Sequence, residues 1–320
     1  MPVFLYQATD GPMNASLYYL PGQAHVVFSG PMLERLQGAE LEAVLGHELS
    51  HYLLWSSQGG RYHAADRILD ATAADPRADA AHLQTARLYR LFTEAYADRG
   101  AVVASGALEP AVTALVKTQT GLQAVSAASY LKQADEIASR AAMNAGSSHP
   151  EVFVRARALR LWSEGDAQAD AWLCATLRGP LRLDGADLTG RQALSRLTRR
   201  VLQQILRPAW MQGEATLAHA RRFFPDFKID AGPDDALAAD VAAATGCHDY
   251  VAALLLDMAV ADRALEDVPL AAALELGRTW GLAPVLERRV SQDLGMSKRQ
   301  LNKLNQEAAG MLQKAQAPRA

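Results

Sequence analysis

The stretch Leu41–Trp55, LEAVLGHELSHYLLW, contains the pattern His47-Glu48-x-x-His51. Residues four apart on a helix lie on the same face, one turn from each other, so two imidazoles at this spacing can bind one metal ion. Zinc is the metal that such a pair typically binds, and the adjacent glutamate is then placed to act as a general base on water. The pattern therefore predicts a zinc site on a helix.

The predicted helix around this pattern is amphipathic. His47 and His51 flank its apolar stripe, and Glu48 falls inside the arc of that stripe. A buried carboxylate is costly unless it is paired or takes part in chemistry. The position of Glu48 therefore favours a metal site over a solvated helix with two ordinary histidines. The stripe consists of Leu41, Val44, Leu45, Leu49, Tyr52 and Leu53.

The composition is that of an ordinary globular protein. The chain has 320 residues, half of them hydrophobic, and a formal net charge of −3, so two domains are expected and no nucleic-acid partner is indicated. Its two cysteines, Cys174 and Cys247, lack C-x-x-C spacing and indicate neither a thiolate metal site nor a disulfide framework. No stretch has the roughly 18 apolar residues that span a bilayer, and the N-terminus does not resemble a signal peptide. We therefore expect a soluble, cytoplasmic protein.

Strand patterns are confined to the N-terminal region. Short segments over 3–7, 17–20 and 24–29 are rich in aromatic and branched residues and predict one small sheet of about three strands. The later residues show helical periodicity, with a long helix predicted over 81–105. The expected fold is thus mainly α (α+β), with a small N-terminal β-sheet followed by helices. Three regions are expected: an N-terminal domain over 1–165, a helical connector over 166–235 and a helical accessory domain over 236–320.

A third metal ligand must come from elsewhere in the chain, because a catalytic zinc site needs three protein ligands and one open position. Glu94 is the strongest candidate, since Glu94 and Asp98 are four residues apart and share one face of a predicted helix. With Glu94 on the metal, Asp98 can accept the free N–H of a ligating imidazole and fix its tautomer. The alternative interpretation is an exposed acidic pair near Arg90 and Arg99.

Three motifs in this order resemble peptidase family M48, the metalloproteases that include the CAAX prenyl protease and the heat-shock protease HtpX. They are His47-Glu48-x-x-His51, Glu94-x-x-Ala97-Asp98, and Ser148-His149-Pro150 followed by Arg155. The resemblance covers roughly residues 1–165. Those two relatives are membrane proteins, whereas this sequence shows no spanning stretch, so it resembles a soluble member of the family.

The resemblance implies a gluzincin fold with one zinc ion per chain, bound by His47, His51 and Glu94. It also implies hydrolysis of a peptide bond, with Glu48 as general base and His149 as a donor to the oxyanion. Arg155 is expected to orient His149 or a carboxylate, or to form a structural ion pair. An extended substrate is expected along an edge strand, in contact with Ala24, His25, Val26, Val27 and Phe28.

The C-terminal region is weakly similar to TerB-like helical domains. An apolar helical segment over 254–260 is followed by an acidic turn and another helix. The acidic residues offer oxygen ligands for a hard cation, although a helix N-terminus that complements its dipole is the simpler interpretation. A partner or a second copy of the chain is expected to bind this region. The acidic cluster comprises Asp257, Asp262, Glu266 and Asp267.

Two functions from different classes follow from the sequence. The first is a zinc-dependent endopeptidase that acts on protein or peptide substrates. The second is a non-catalytic interaction protein that works through its C-terminal helical domain, with the N-terminal half as a scaffold. The intact ligand residues and the intact Glu48 favour the enzyme. An aminopeptidase ranks lower, because the G-x-M-x-N pattern that accompanies zinc aminopeptidases does not occur in the sequence.

Overall fold

The computed structural model describes residues 1–8, 10–138, 151–230 and 232–316. The chain divides into two compact units, Met1–Gly179 and Pro180–Ala320, each with its own hydrophobic core. The division coincides with neither of the boundaries expected at 165 and 235, and the three-part organisation stays a prediction. In the described part of the chain, no helix combines the length and the apolar character needed to cross a bilayer.

A three-stranded sheet opens the first unit. Its strands are β1 (Val3–Ala8), β2 (Asn14–Leu20) and β3 (Gln23–Ser29), in the order β1-β3-β2. β3 pairs in parallel with β1 and antiparallel with β2. The expected small sheet and the mainly α fold are confirmed. The prediction that 24–29 forms an edge strand is wrong, because β3 is hydrogen bonded to a neighbour on both sides.

The side chains of β3 alternate between the two faces of the sheet. Ala24, Val26 and Phe28 are buried in the core, whereas His25 and Val27 lie on the opposite face. The ring of His25 stacks there on two aromatic rings of β1. None of these five side chains lines the cleft that contains the candidate metal site. Neither the strand order nor the direction of these side chains supports their predicted contact with an extended substrate, and that contact stays a prediction.

Eight α-helices of the first unit fall within the described residues, and two of them carry the predicted metal-binding residues. They are α1 (Met32–Arg35), α2 (Ala39–Ser56), α3 (Arg61–Ala74), α4 (Ala80–Ser105), α5 (Leu108–Thr120), α6 (Ala127–Ala138), α7 (Val152–Ser163) and α8 (Ala169–Arg178). Capping residues mark both ends of α4. The Asp79 side chain accepts the His82 main-chain N–H at the start of the helix, and Gly106 adopts φ 72° after its end.

α2 and α4 cross closely because small residues meet at the crossing. A Cβ atom on Gly46 would lie 2.6 Å from the main-chain oxygen of Gly100, and a Cβ atom on Gly100 would lie 1.7 Å from Oγ of Ser50. Any side chain at these glycines would push the helices apart. Because these two glycines have no side chains, the face of α2 that carries the histidines packs against the face of α4 that carries Glu94.

In the second unit, the described residues form helices around one large core. These are α9 (Leu188–Ile205), α10 (Glu214–Phe223), α11 (Leu237–Ala243), α12 (His248–Ala259), α13 (Val268–Thr279), α14 (Ala283–Asp293) and α15 (Lys298–Gln316). Phe227, Met258 and Leu282 are among the side chains that this core buries completely. The second unit is therefore stabilised by apolar burial of its own.

The acidic residues of the second unit serve local contacts. Within the described ranges, Asp257, Asp262, Glu266 and Asp267 do not form a metal-binding group. Asp257 instead lies 2.7 Å from Nε2 of His219. Asp262 accepts the main-chain N–H of the residue two positions later and caps a short helical turn. These contacts agree with the local interpretation rather than with a cation site.

Candidate metal centre

Three side chains of the first unit converge on one point. His47 and His51 of α2 and Glu94 of α4 each place one ligand atom within 4.8 Å of the others. The two Nε2 atoms are 3.2 Å apart, and they lie 3.7 and 3.5 Å from the Glu94 carboxylate oxygens. Donors bound to one tetrahedral zinc at about 2.0–2.1 Å lie roughly 3.3 Å from each other. The three groups therefore have the chemistry and the spacing that zinc requires.

Asp98 contacts the imidazole of His47 at Nδ1, the ring nitrogen that does not face Glu94. Oδ1 of Asp98 lies 3.1 Å from Nδ1 of His47, which leaves Nε2 directed towards Glu94. Arg155 donates to the same carboxylate through Nε and Nη2, at 2.7 and 2.6 Å. Burial opposes ionisation of Asp98, but Arg155 and His47 outweigh it and hold the pKa of Asp98 well below its usual range. Asp98 is therefore a charged acceptor for the imidazole N–H.

Arg155 contacts both carboxylates of α4. Its Nη2 also lies 3.3 Å from Oε2 of Glu94, and the side chain is 5% exposed. Of its two expected partners, the structure thus brings a carboxylate to it, whereas His149 lies outside the described residues. A single buried cation between Glu94 and Asp98 lowers the repulsion between these carboxylates.

The two histidines differ in their tendency to take up a proton. Burial, followed by the charge of His47, lowers the pKa of His51 to about 4. Burial also lowers the pKa of His47, but the Asp98 carboxylate outweighs it, so that this pKa is raised. His51 is thus neutral at pH 7, which is the state that binds a metal ion. Its Nδ1 is buried and has no hydrogen-bond partner among the described residues.

Glu48 lies in the same cleft and is 8% exposed. Burial raises the pKa of its carboxyl, whereas the charge of His47 and a hydrogen bond from the Leu17 main chain lower it. The net shift is upwards, towards neutrality. A carboxyl with such a pKa suits a group that accepts a proton and later donates it.

A cleft of about 510 Å³ contains these groups. The segment 14–17 of β2 forms part of its lining. α2 and α4 run antiparallel, because Gly46 meets Gly100 while His51, later on α2, lies near Glu94, earlier on α4. The cleft therefore has two ends along these helices. Trp55, Asp66 and Arg90 line one end, and the small side chains Ala43, Ala101, Ala111 and Ala114 line the other.

The sequence predicts the residues that converge, but it does not predict the other residues that line the cleft. The structure brings together His47, His51 and Glu94, as expected, with Glu48 and Asp98 beside them. The outer edge of β2 and the residues at the two ends were missed. Trp55 offered a usable signal, because it lies one helical turn after His51. Asp66 offered none, because its helix reaches the cleft only through the tertiary fold.

The comparisons with known proteins identify the class. Residues 4–163, half of the chain, match peptidase family M48. No curated protein and no solved structure matches the chain. The site and this match define a metallopeptidase. The chain belongs to peptidase family M48, whose members depend on a metal and act on proteins or peptides. The match ends within the first unit, and the TerB-like resemblance of the C-terminal region stays a prediction.

Proposed function

We propose that this chain is a zinc-dependent endopeptidase that binds one zinc ion through His47, His51 and Glu94. The observation that supports it is the convergence of these side chains in a cleft that also contains Glu48. Two imidazole nitrogens and one carboxylate are a donor set that zinc takes in catalytic sites. When bound there, zinc supplies a Lewis acid that lowers the pKa of water and polarises a carbonyl.

Glu48 is the proposed proton carrier. Its carboxylate takes a proton from the attacking water and then delivers that proton to the leaving amine. Two features support this role. Burial raises the pKa of Glu48, and the residue lines the cleft that contains the metal ligands. Glu48, His47 and His51 line the same cleft, which places the Glu48 carboxylate on the side where water would meet the metal.

Asp98 and Arg155 are proposed to position the ligands. Because Asp98 accepts the Nδ1–H of His47, the imidazole presents the lone pair of Nε2 to the metal. Arg155 contacts both Asp98 and Glu94, so it restrains both carboxylates at once. His149 stays proposed as a donor to the oxyanion on the basis of the sequence resemblance alone.

We propose that an extended substrate adds to the outer edge of β2, in place of the expected position along β3. β2 is an edge strand, hydrogen bonded only to β3 within the sheet. Its residues Asn14, Ala15, Ser16 and Leu17 line the cleft beside Glu48. Apart from the Leu17 main chain, which contacts Glu48, such an edge offers main-chain groups that bind an extended peptide by strand addition.

Zinc content and peptide cleavage test this proposal. We expect one zinc ion per chain by mass spectrometry, and cleavage of casein or an internally quenched peptide library within the peptides rather than at their termini. A chelator should abolish cleavage, and added zinc should restore it. Absence of both zinc and cleavage would instead support the non-catalytic interaction protein.

The variant Glu48→Gln tests the proton carrier. It should retain zinc and lower kcat by about 10²–10⁴-fold, because the amide cannot accept the proton. Glu42→Gln is the matched control, since Glu42 lies on the same helix but is exposed and outside the cleft. Wild-type kcat in Glu48→Gln would exclude the general-base role.

A further inference from the structure

One end of the cleft carries a carboxylate for which the proposed reaction has no use. Asp66 of α3 lines the cleft together with Trp55 of α2 and Arg90 of α4. Asp66 is half-buried and makes no hydrogen bond or ion pair with any described residue. A partly buried carboxylate loses some of its hydration, and here no direct hydrogen bond or ion pair with a described residue replaces it.

The neighbouring arginines do not form a direct ion pair with this carboxylate. Arg90 forms its ion pair with Asp70, which lies one helical turn after Asp66 on α3. Arg67 is exposed and forms no ion pair with Asp66. Asp66 and Asp70 of α3 thus both lie near Arg90, and Arg90 forms its ion pair with Asp70. Arg90, His63 and Arg67 attract the Asp66 carboxylate through space, but burial and the charge of Asp70 outweigh them, so the pKa of Asp66 is raised. This end of the cleft thus holds a carboxylate that has no direct cationic partner among the described residues.

The carboxylate is accompanied by an aromatic wall. The ring of Trp55 lies 5.8 Å from the ring of His51 and 5.9 Å from the ring of His63, which fixes it beside the metal ligands. A lysine or arginine side chain can lay its methylene groups along such a ring while its charged end meets a carboxylate. An ion pair with hydrogen bonds in a partly desolvated cleft is stronger than one in water.

We infer that this end of the cleft is a subsite for a basic side chain of the substrate, with Asp66 as its charge partner and Trp55 as its wall. The inference rests on the proposed function and specifies its substrate class, peptides with lysine or arginine near the scissile bond. Trp55 follows His51 by one turn, and Arg90 precedes Glu94 by one turn. One helical turn is about 5.4 Å, and an extended peptide advances about 3.3 Å per residue. The basic residue therefore lies one or two positions from the scissile bond.

Paired peptide libraries test the subsite. In each pair, one position near the scissile bond is lysine or its uncharged isostere norleucine, and the other positions are degenerate. At one position we expect a kcat/KM about tenfold higher for lysine, the magnitude of one charge-assisted contact. Asp66→Asn should bring this ratio close to one, and Asp66→Lys should favour glutamate over lysine at that position. Glu42→Gln, which removes an exposed charge outside the cleft, should leave the ratio unchanged.

Binding to the Glu48→Gln protein separates this inference from the proposed function. Lysine libraries should bind this variant about tenfold more tightly than norleucine libraries, and Asp66→Asn in the same background should remove the difference. That result supports the subsite even if the wild type cleaves nothing, in which case the proposed function alone fails. Equal or absent binding of both libraries, or a lysine preference that survives Asp66→Asn, overturns the subsite.

Discussion

At the scale of single residues, the candidate metal centre depends on two linked contacts. Arg155 forms a buried ion pair with Asp98, and Asp98 is hydrogen bonded to His47. Asp98 and Arg155 are 3% and 5% exposed, and their two hydrogen bonds are shorter than the contact between Asp98 and His47. A buried ion pair adds little net stability, but removal of one partner leaves the other charge buried and uncompensated. Asp98 therefore has two separable effects, one on the fold and one on the imidazole.

Asp98→Asn should reveal both effects. We expect the free energy of unfolding of the metal-free protein to fall by about 3–5 kcal/mol, because Arg155 keeps its buried charge and loses Asp98, the closer of its two carboxylate partners. The affinity for zinc should fall by about 10–100-fold, because the amide no longer holds His47 as a charged acceptor does. Chemical denaturation measures the first quantity, and a competition titration with a chelating dye measures the second.

The double variant Asp98→Asn/Arg155→Met is the control for this prediction. It removes the buried charge of Arg155 that has lost its closer partner and should regain part of the lost stability, while the affinity for zinc stays low. Wild-type affinity in the double variant would show that Asp98 acts on the site only by neutralising Arg155.

At the scale of elements, the crossing of α2 and α4 decides whether the ligands meet. The sequence predicts that His47 and His51 share a face of one helix and that Glu94 and Asp98 share a face of another. It does not predict that these faces meet, because periodicity describes each helix separately. The residues that permit the contact, Gly46 and Gly100, carry no chemistry and stand out only once the helices are packed.

Gly100→Ala tests the closeness of this crossing. Alanine is the better helix former, yet its Cβ would lie 1.7 Å from Oγ of Ser50. We expect a loss of about 1–3 kcal/mol in the free energy of unfolding from overpacking. The affinity for zinc should fall as well, because α4 and with it Glu94 are displaced. Gly310→Ala is the matched control, since a Cβ there meets nothing within 4 Å, and it should add about 0.5–1 kcal/mol. Unchanged zinc affinity in Gly100→Ala would contradict the close crossing.

The sheet shows the same limit of sequence patterns. Alternation of side chains predicts three strands, and the tight connection between β2 and β3 makes their antiparallel pairing a local matter. The parallel pairing of β1 with β3 joins segments about 20 residues apart and places β3 in the centre. No local pattern contains that information, and therefore the sequence alone predicts an edge position for β3, which lies in the centre of the sheet.

At the scale of the whole molecule, the limits of the first unit are set by packing rather than by composition. The sequence predicts a domain boundary at 165. α8 lies beyond it, yet Leu173 and Leu177 belong to the same core as Leu88 and Leu91 of α4. The pattern of an amphipathic helix predicts an apolar face, but it does not predict the core against which that face packs. α4 also carries Glu94, so α8 supports the helix that supplies the third ligand.

A chain of residues 1–165 should therefore be less stable than a chain of residues 1–179. Leu173 and Leu177 are 6% and 4% exposed, and loss of their burial should cost about 3–6 kcal/mol at roughly 1.5–3 kcal/mol for each side chain. That is comparable to the whole stability of many domains, so the shorter chain should unfold at a much lower urea concentration. In the full chain, Leu173→Ala should lower the stability of the first unit, whereas Leu183→Ala, at a leucine that is 58% exposed, should not. Equal urea midpoints for the two shortened chains would show that α8 is dispensable and that the boundary predicted at 165 is the functional one.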